Sequence, residues 1–191
     1  GVMVDAKTIL DSKLDVNNAI KTLFNKSKDS KIDLVRVAAH IKDVPKTNNI
    51  INALKDYGYI VGLNIMQAGH KDESLLKETV KSIAHNENID ALYFADSLGN
   101  MDANEVIRIV SIFKKEWHRD IGIHTHDNMD LGLSNTITAL DNGVTWVDCT
   151  IRGMGRGAGN TQTEKLLSKL NTNKYAGKYK TTDIYELVLN K

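Results

Sequence analysis

At 191 residues, with 41% hydrophobic and 26% charged residues, the chain has enough apolar material for one globular core, which excludes a disordered polymer. Its 25 Lys and Arg against 24 Asp and Glu leave a net charge of +1, so there is no broad field to gather nucleic acid or anionic lipid, and the expected partner is a small molecule or another subunit. No apolar run reaches the roughly 18 residues of a membrane span and the opening residues lack the pattern of a signal peptide, so a cytoplasmic protein without membrane attachment is expected.

From the N terminus, a β-branched run at 2–4 predicts a strand, and Ala19, Ile20, Leu23 and Phe24 then recur at helical spacing. A second strand is predicted at 34–37, followed by a helix carrying Ile50, Ile51, Leu54 and Tyr57 that Gly58 stops. The third strand, 59–66, leads to a helix marked by Leu75, Leu76, Thr79, Val80 and Ile83, with Asp72 placed to cap its start. The fourth, 91–95, precedes Asp102 as a cap and Val106, Ile107, Val110 and Phe113 as an apolar face. The fifth, 121–123, precedes Asp130 as a cap and Leu133, Ile137 and Leu140, with Gly143 as the stop. A sixth strand spans 144–150, a helix starts around Thr161, and the chain closes on an amphipathic segment at 184–189.

Strand followed by helix, six times over, implies an α/β protein with a parallel sheet and helices outside it. Repetition alone leaves two versions open, a (β/α)8 barrel and a doubly wound open sheet. Only six βα units are present, the chain opens almost directly on a strand, and it closes without a glycine cap. The expectation is therefore a single domain over 1–191, truncated at its N terminus. One proline, Pro45, and no low-complexity linker give no internal boundary. The lone Cys149 can form neither an internal disulfide nor a thiolate metal site by itself, and is expected to be a small core residue.

The strongest chemical signal is Ile-His-Thr-His-Asp-Asn over 123–128, at the end of the fifth strand. On a strand, residues i and i+2 share a face, so His124 and His126 would project into one space, as ligands of a divalent cation must. The bland alternative has one imidazole capping a helix and the other filling the core. A second signal is Arg-Gly-Met-Gly-Arg-Gly-Ala-Gly-Asn over 152–160, where four glycines at alternate positions let backbone amides approach a ligand. Thr161 and Glu164 have capping-box spacing, so a helix N terminus is expected beside this loop, favourable for a carboxylate or phosphate. The loop also satisfies the dinucleotide pattern Gly-x-Gly-x-x-Ala. A nucleotide-binding unit would place that pattern in its first βα turn, with an acidic strand end about 20 residues on. Here it falls in the last unit, and 166–180 offers no such strand.

The stretch from Gly122 to Glu164, carrying His-Thr-His-Asp-Asn and then Gly-Met-Gly-Arg-Gly-Ala-Gly-Asn, resembles the metal-dependent (β/α)8 (TIM) barrel family of 4-hydroxy-2-oxovalerate aldolase, isopropylmalate synthase and 3-hydroxy-3-methylglutaryl-CoA lyase. Phe-Ala-Asp-Ser-Leu-Gly at 94–99 is similar to that family's sixth-strand motif, and Leu-Val-Arg-Val-Ala at 34–38 to its fourth strand. The aldolase branch is the most similar. The resemblance implies a (β/α)8 barrel lacking its first two βα units. It makes His124 and His126 metal ligands, with Asn160 a further ligand or neighbour of one. Asp96 and Ser97 would line the mouth, Asn128 would orient the site, and Arg36 and Asn64 would point inward to reach substrate. Gly155, Gly157 and Gly159 would bind it through the loop. His40, just past a strand, is expected on a surface loop. The cofactor implied is a divalent ion, Mn2+, Mg2+ or Zn2+. The reaction implied is retro-aldol cleavage of a 4-hydroxy-2-oxo acid to pyruvate or a homologue plus an aldehyde. A Claisen-type acyl-CoA synthase and a non-catalytic barrel scaffold remain the alternatives.

The departure from the family is at the other end. Its members carry Arg-Asp near the end of strand one, the Asp completing the metal site, and no such strand occurs here. These 191 residues alone are therefore expected to be inactive or nearly so. Two uncovered strand edges also suggest a homo-oligomer or association with the missing N-terminal segment.

Overall fold

The computed structural model describes residues 1–172 and 182–189. Six strands form one sheet in sequence order: β1 (Val2–Asp5), β2 (Leu34–His40), β3 (Ile60–Met66), β4 (Ala91–Asp96), β5 (Asp120–Thr125) and β6 (Trp146–Val147). Every neighbouring pair is parallel. The helices are α1 (Ala6–Leu10), α2 (Val16–Leu23), α3 (Asn48–Asp56), α4 (Glu73–Ile83), α5 (Ala103–Glu116), α6 (Gly132–Asp141), α7 (Thr163–Thr172) and α8 (Thr182–Leu189). Of the stretch read as lacking a further strand, 173–180 lies outside the described residues.

The period of two along each strand sorts the side chains into two layers. Val35, Val37, Leu63, Ile65, Leu92, Phe94, Ile121 and Ile123 face the helices and are fully or almost fully buried there with Leu54, Leu76, Val80, Ile109 and Phe113. The other face carries Arg36, Asn64, Tyr93, Gly122 and His124, a polar inner surface. Gly122 is there because Tyr93 fills the space: a Cβ at that position would collide with the phenol ring. Arg36 on β2 pairs with Asp148, just past β6, so the sheet curls until its first and last strands face a common interior. β1 and β6 do not pair with each other, and the result is a partial barrel.

Several local expectations need correction. β6 is two residues long, where 144–150 was expected. Val144 still donates to Ala139 O, in the last turn of α6, at 3.0 Å, and Thr150 N has turned to Thr161 O at 3.0 Å, so both ends of that run are engaged elsewhere. Asp130 does not cap α6: it has φ 56, and Asp127 Oδ1 accepts from Gly132 N at 2.7 Å instead. Asp102 caps α5 as expected, whereas Asp72 precedes α4 without a side-chain bond. Gly58 and Gly143 stop their helices at φ 85 and 88, in the left-handed region where glycine has no steric penalty.

Candidate functional site

At the C-terminal end of the strands lies a cavity of about 530 Å³. His124 and His126 both open onto it, their ring centroids 5.2 Å apart and their planes at 83°. The shared face follows from the strand period. The neighbouring loop is brought in by backbone pairing: Asp127 N donates to Gly159 O at 3.0 Å, and His126 bridges to Asn160 in antiparallel fashion. This seats Asn160 beside the second imidazole.

The glycines make that seat possible. Gly159 has φ 92, and a Cβ there would run into the Gly153 carbonyl; a Cβ at Gly155 would strike the Asn160 amide. Asn160 Nδ2 donates to Met154 O at 3.3 Å, while its Oδ1 is buried without a partner. Asn64, 2% exposed, also lines the cavity with an unpartnered Oδ1. Buried polar atoms without a protein partner are rare, and one on a cavity wall is free to accept from a ligand or from water.

His124 is buttressed from behind. Its Nδ1 lies 2.8 Å from Asp148 Oδ2, so its other nitrogen, Nε2, is the one left for a metal. Burial, then the neighbouring charges of His124 and Arg156, hold the His126 imidazole below its ordinary 6.5, which keeps it in the neutral, metal-binding form. A donor set of two imidazoles and an amide oxygen fits a first-row divalent ion or zinc. Among the described residues no group of three or more His, Cys, Asp or Glu side chains is placed to hold a metal ion together.

The expected residues fall in different places. Ser97, Asn64 and Asn160 join the two histidines on the cavity wall. Asp96 does not: it has the strand parity of Leu92 and Phe94, facing the helices, and its carboxylate accepts from Asn100 N at 3.0 Å and Met101 N at 3.3 Å. Burial pushes its carboxyl upward against those bonds. Arg36 lies deeper, in a separate compartment between β1 and β6. Asn128 is exposed at the rim, against Gly99. Gly155, Gly157 and Gly159 shape the loop, but its cavity-lining members are Arg156 and Asn160.

Thr161 and Glu164 do not form a capping box. The Thr161 hydroxyl meets those of Thr125 at 2.7 Å and Thr136 at 2.9 Å, tying the loop to β5 and α6. Glu164 Oε2 accepts from Arg152 N at 3.1 Å, so the chain's own carboxylate sits at the start of α7, where a bound anion was expected.

Several wall residues escaped the sequence reading: Met3, Asp5, His40, Met66, Gln67 and Arg156. His40 was expected on a surface loop, yet it is the last residue of β2 with the inward parity of Arg36 and Ala38. Parity was the signal that could have found it, and Asp148 too, since a carboxylate near a strand end opposite His-x-His is a natural orienting partner. Gln67 N is fixed by Ser97 Oγ at 3.0 Å, and Arg156 Nη2 donates to Ser97 O at 3.1 Å, so both loops are anchored at the end of β4. His40, Met66 and Gln67 also border a second hollow of about 390 Å³ with Lys42, Lys71 and Leu75.

The chain is 33% identical over 159 residues to the 4-hydroxy-2-oxovalerate aldolase of Bacillus thuringiensis (strain Al Hakam), covering 82% of this chain and 46% of the aldolase. It is 33% identical over 138 residues to 4-hydroxy-2-oxovalerate aldolase 2 of Rhodococcus jostii (strain RHA1), covering 72% and 40%. The chain thus spans less than half the length of these curated relatives. The solved N-terminal domain of a Bacteroides vulgatus protein assigned as an aldolase superposes with a TM-score of 0.79 at 30% identity, covering 98% of this chain and 60% of that one. The carboxyl transferase domain of Rhizobium etli pyruvate carboxylase shares the fold, with a TM-score of 0.83 at 13% identity over 98% of this chain and 33% of that one. Residues 9–189 match the HMGL-like family, and the chain belongs to it.

Proposed function

We propose that this chain forms the metal-bearing part of a divalent-metal-dependent carbon–carbon lyase, cleaving a 4-hydroxy-2-oxo acid to pyruvate or a homologue and an aldehyde. The observation that carries the reading is the convergence of two imidazoles and the unpartnered Asn160 Oδ1 on one cavity. In this reading His124 Nε2, His126 and Asn160 Oδ1 hold the ion, which is Mn2+, Mg2+ or Zn2+. When bound there, the ion supplies Lewis acidity to the 2-oxo carbonyl.

The chain's own residues do the remaining positioning. The Arg156 guanidinium, held over the rim by Ser97 O, pairs with the substrate carboxylate. Asn64, with its free Oδ1 and an Nδ2 directed at Met3 Sδ, binds the substrate's hydroxyl or oxo oxygen. The glycine loop covers the bound acid and limits water. The base that takes the substrate's hydroxyl proton, and the acidic ligand that completes the metal site, belong to parts of the barrel outside these residues. The relatives named for this reaction are more than twice as long as the matched region.

The test is pyruvate release from 4-hydroxy-2-oxovalerate with added Mn2+, measured for the 191-residue chain and for the complete gene product. The expected result is turnover only in the complete protein, lost on His126→Ala. No pyruvate from the complete protein, or turnover indifferent to that substitution, would refute the proposal.

A further inference from the structure

We infer that Arg36 is a positioning residue that acts on His124 through Asp148 and does not contact substrate. The inference rests on the reading of His124 as a metal ligand. Asp148 Oδ2 lies 2.8 Å from His124 Nδ1, and Arg36 Nη1 closes on the same oxygen. The three side chains are 12%, 24% and 16% exposed for Arg36, Asp148 and His124, so water screens the relay weakly.

An ionised carboxylate can only accept, so in this contact the proton sits on His124 Nδ1 and the Nε2 lone pair is left toward the cavity. Arg36 is the cation beside that carboxylate, and it is fixed from the far side: its Cζ stands 4.6 Å over the Tyr93 ring and its Nη2 is 3.9 Å from Met3 Sδ. Arg36 and Asp148 line the compartment between β1 and β6, whereas His124 lines the cavity at the mouth. The route from Arg36 to the site therefore passes through Asp148. His126 is held differently, by its backbone bridge to Asn160, so the two imidazoles respond differently to changes in the interior.

Asp148→Asn separates the effects. The amide oxygen would take the Arg36 donor, turning Nδ2–H toward His124 Nδ1 and forcing the proton onto Nε2, the wrong tautomer for a ligand. The experiment records ring-nitrogen NMR of the metal-free 191-residue chain and zinc chloride titration calorimetry for the parent, Asp148→Asn, Arg36→Met and Arg36→Lys, with circular dichroism to verify folding. The expected results are an Nδ1–H His124 in the parent, an Nε2–H His124 in Asp148→Asn, and zinc affinity about 10- to 100-fold weaker in Asp148→Asn and Arg36→Met. Arg36→Lys restores most of the loss. An Nε2–H His124 in the parent, or an unchanged tautomer and affinity in Asp148→Asn, overturns the inference. Tautomer shifts as expected with no zinc uptake by the parent support the positioning role and refute the metal reading, so the two failures are distinguishable.

Discussion

Where the strands begin, polar groups close on one another. Arg119 donates to the carbonyls of Ala84, Asn86 and Ile89 at 3.1, 3.0 and 2.9 Å and stacks 3.8 Å from the Trp117 ring. Lys55 reaches Asp90 at 2.7 Å while the same carboxylate accepts from Val61 N, and Asp120 collects Thr145 and Trp146. Where the strands end, Asn64 and Asn160 keep unpartnered buried oxygens, and the four non-glycine residues of positive φ among the described residues, Gln67, His70, Asp130 and Arg152, sit in the loops of that face. Backbone strain costs of order 1–3 kcal/mol per residue and persists only where the surroundings enforce it. Here they do: His70 N is held by Glu105 at 2.6 Å and Lys71 O by Arg108 at 2.8 Å. One end of the sheet closes its polar groups on one another, and the other leaves polar oxygens open to a cavity.

The sharpest way to break that contrast is Arg119→Ala, which removes three charge-assisted bonds to carbonyls of the α4–β4 turn. A loss of about 2–3 kcal/mol in urea unfolding is expected with zinc affinity unchanged; a coupled loss of affinity would erase the division between the two ends. Next in size is Gly58→Ala, expected to lose about 1–2 kcal/mol, because φ 85 is strained for alanine and its Cβ would crowd Ser27 Oγ. The mirror experiment at the other end is Gln67→Gly, expected to gain about 0.5–1 kcal/mol by relieving φ 53 while weakening ligand binding. No gain would mean the strain at this face is absent.

The smallest effect is in pH. His126 binds a proton more weakly in the folded protein than in the unfolded chain, so stability declines as pH falls through the ordinary 6.5 toward the depressed folded value. His126→Gln should flatten that slope in thermal unfolding between pH 7.5 and 5; an unchanged slope would place the titration elsewhere.

Much of the fold was legible because its signals are periodic. Ile50 with Leu54 and Leu76 with Val80 announce helices, and β-branched runs between them announce strands, so all six βα units could be placed. The pairing of His124 with His126 was legible for the same reason. What escaped depends on contacts distant in sequence. Nothing local at Thr161 says that its hydroxyl will meet Thr125 and Thr136 and abandon the helix cap. Nor does Arg36 reveal that it ends on Asp148, more than a hundred residues later, and not in the mouth. Asp96 is different: counting in twos from Phe94 turns it away from the cavity and Ser97 into it, so that distinction was available from the strand period and was obscured by the motif.

The central claim is that the strand-end face binds a divalent ion between its two imidazoles. Zinc titration calorimetry of the 191-residue chain, beside a variant carrying His124→Ala and His126→Ala, tests it most directly. One zinc per parent chain, and none for an equally folded variant, is the expected result. Equal uptake by both, or none by the parent, would contradict it.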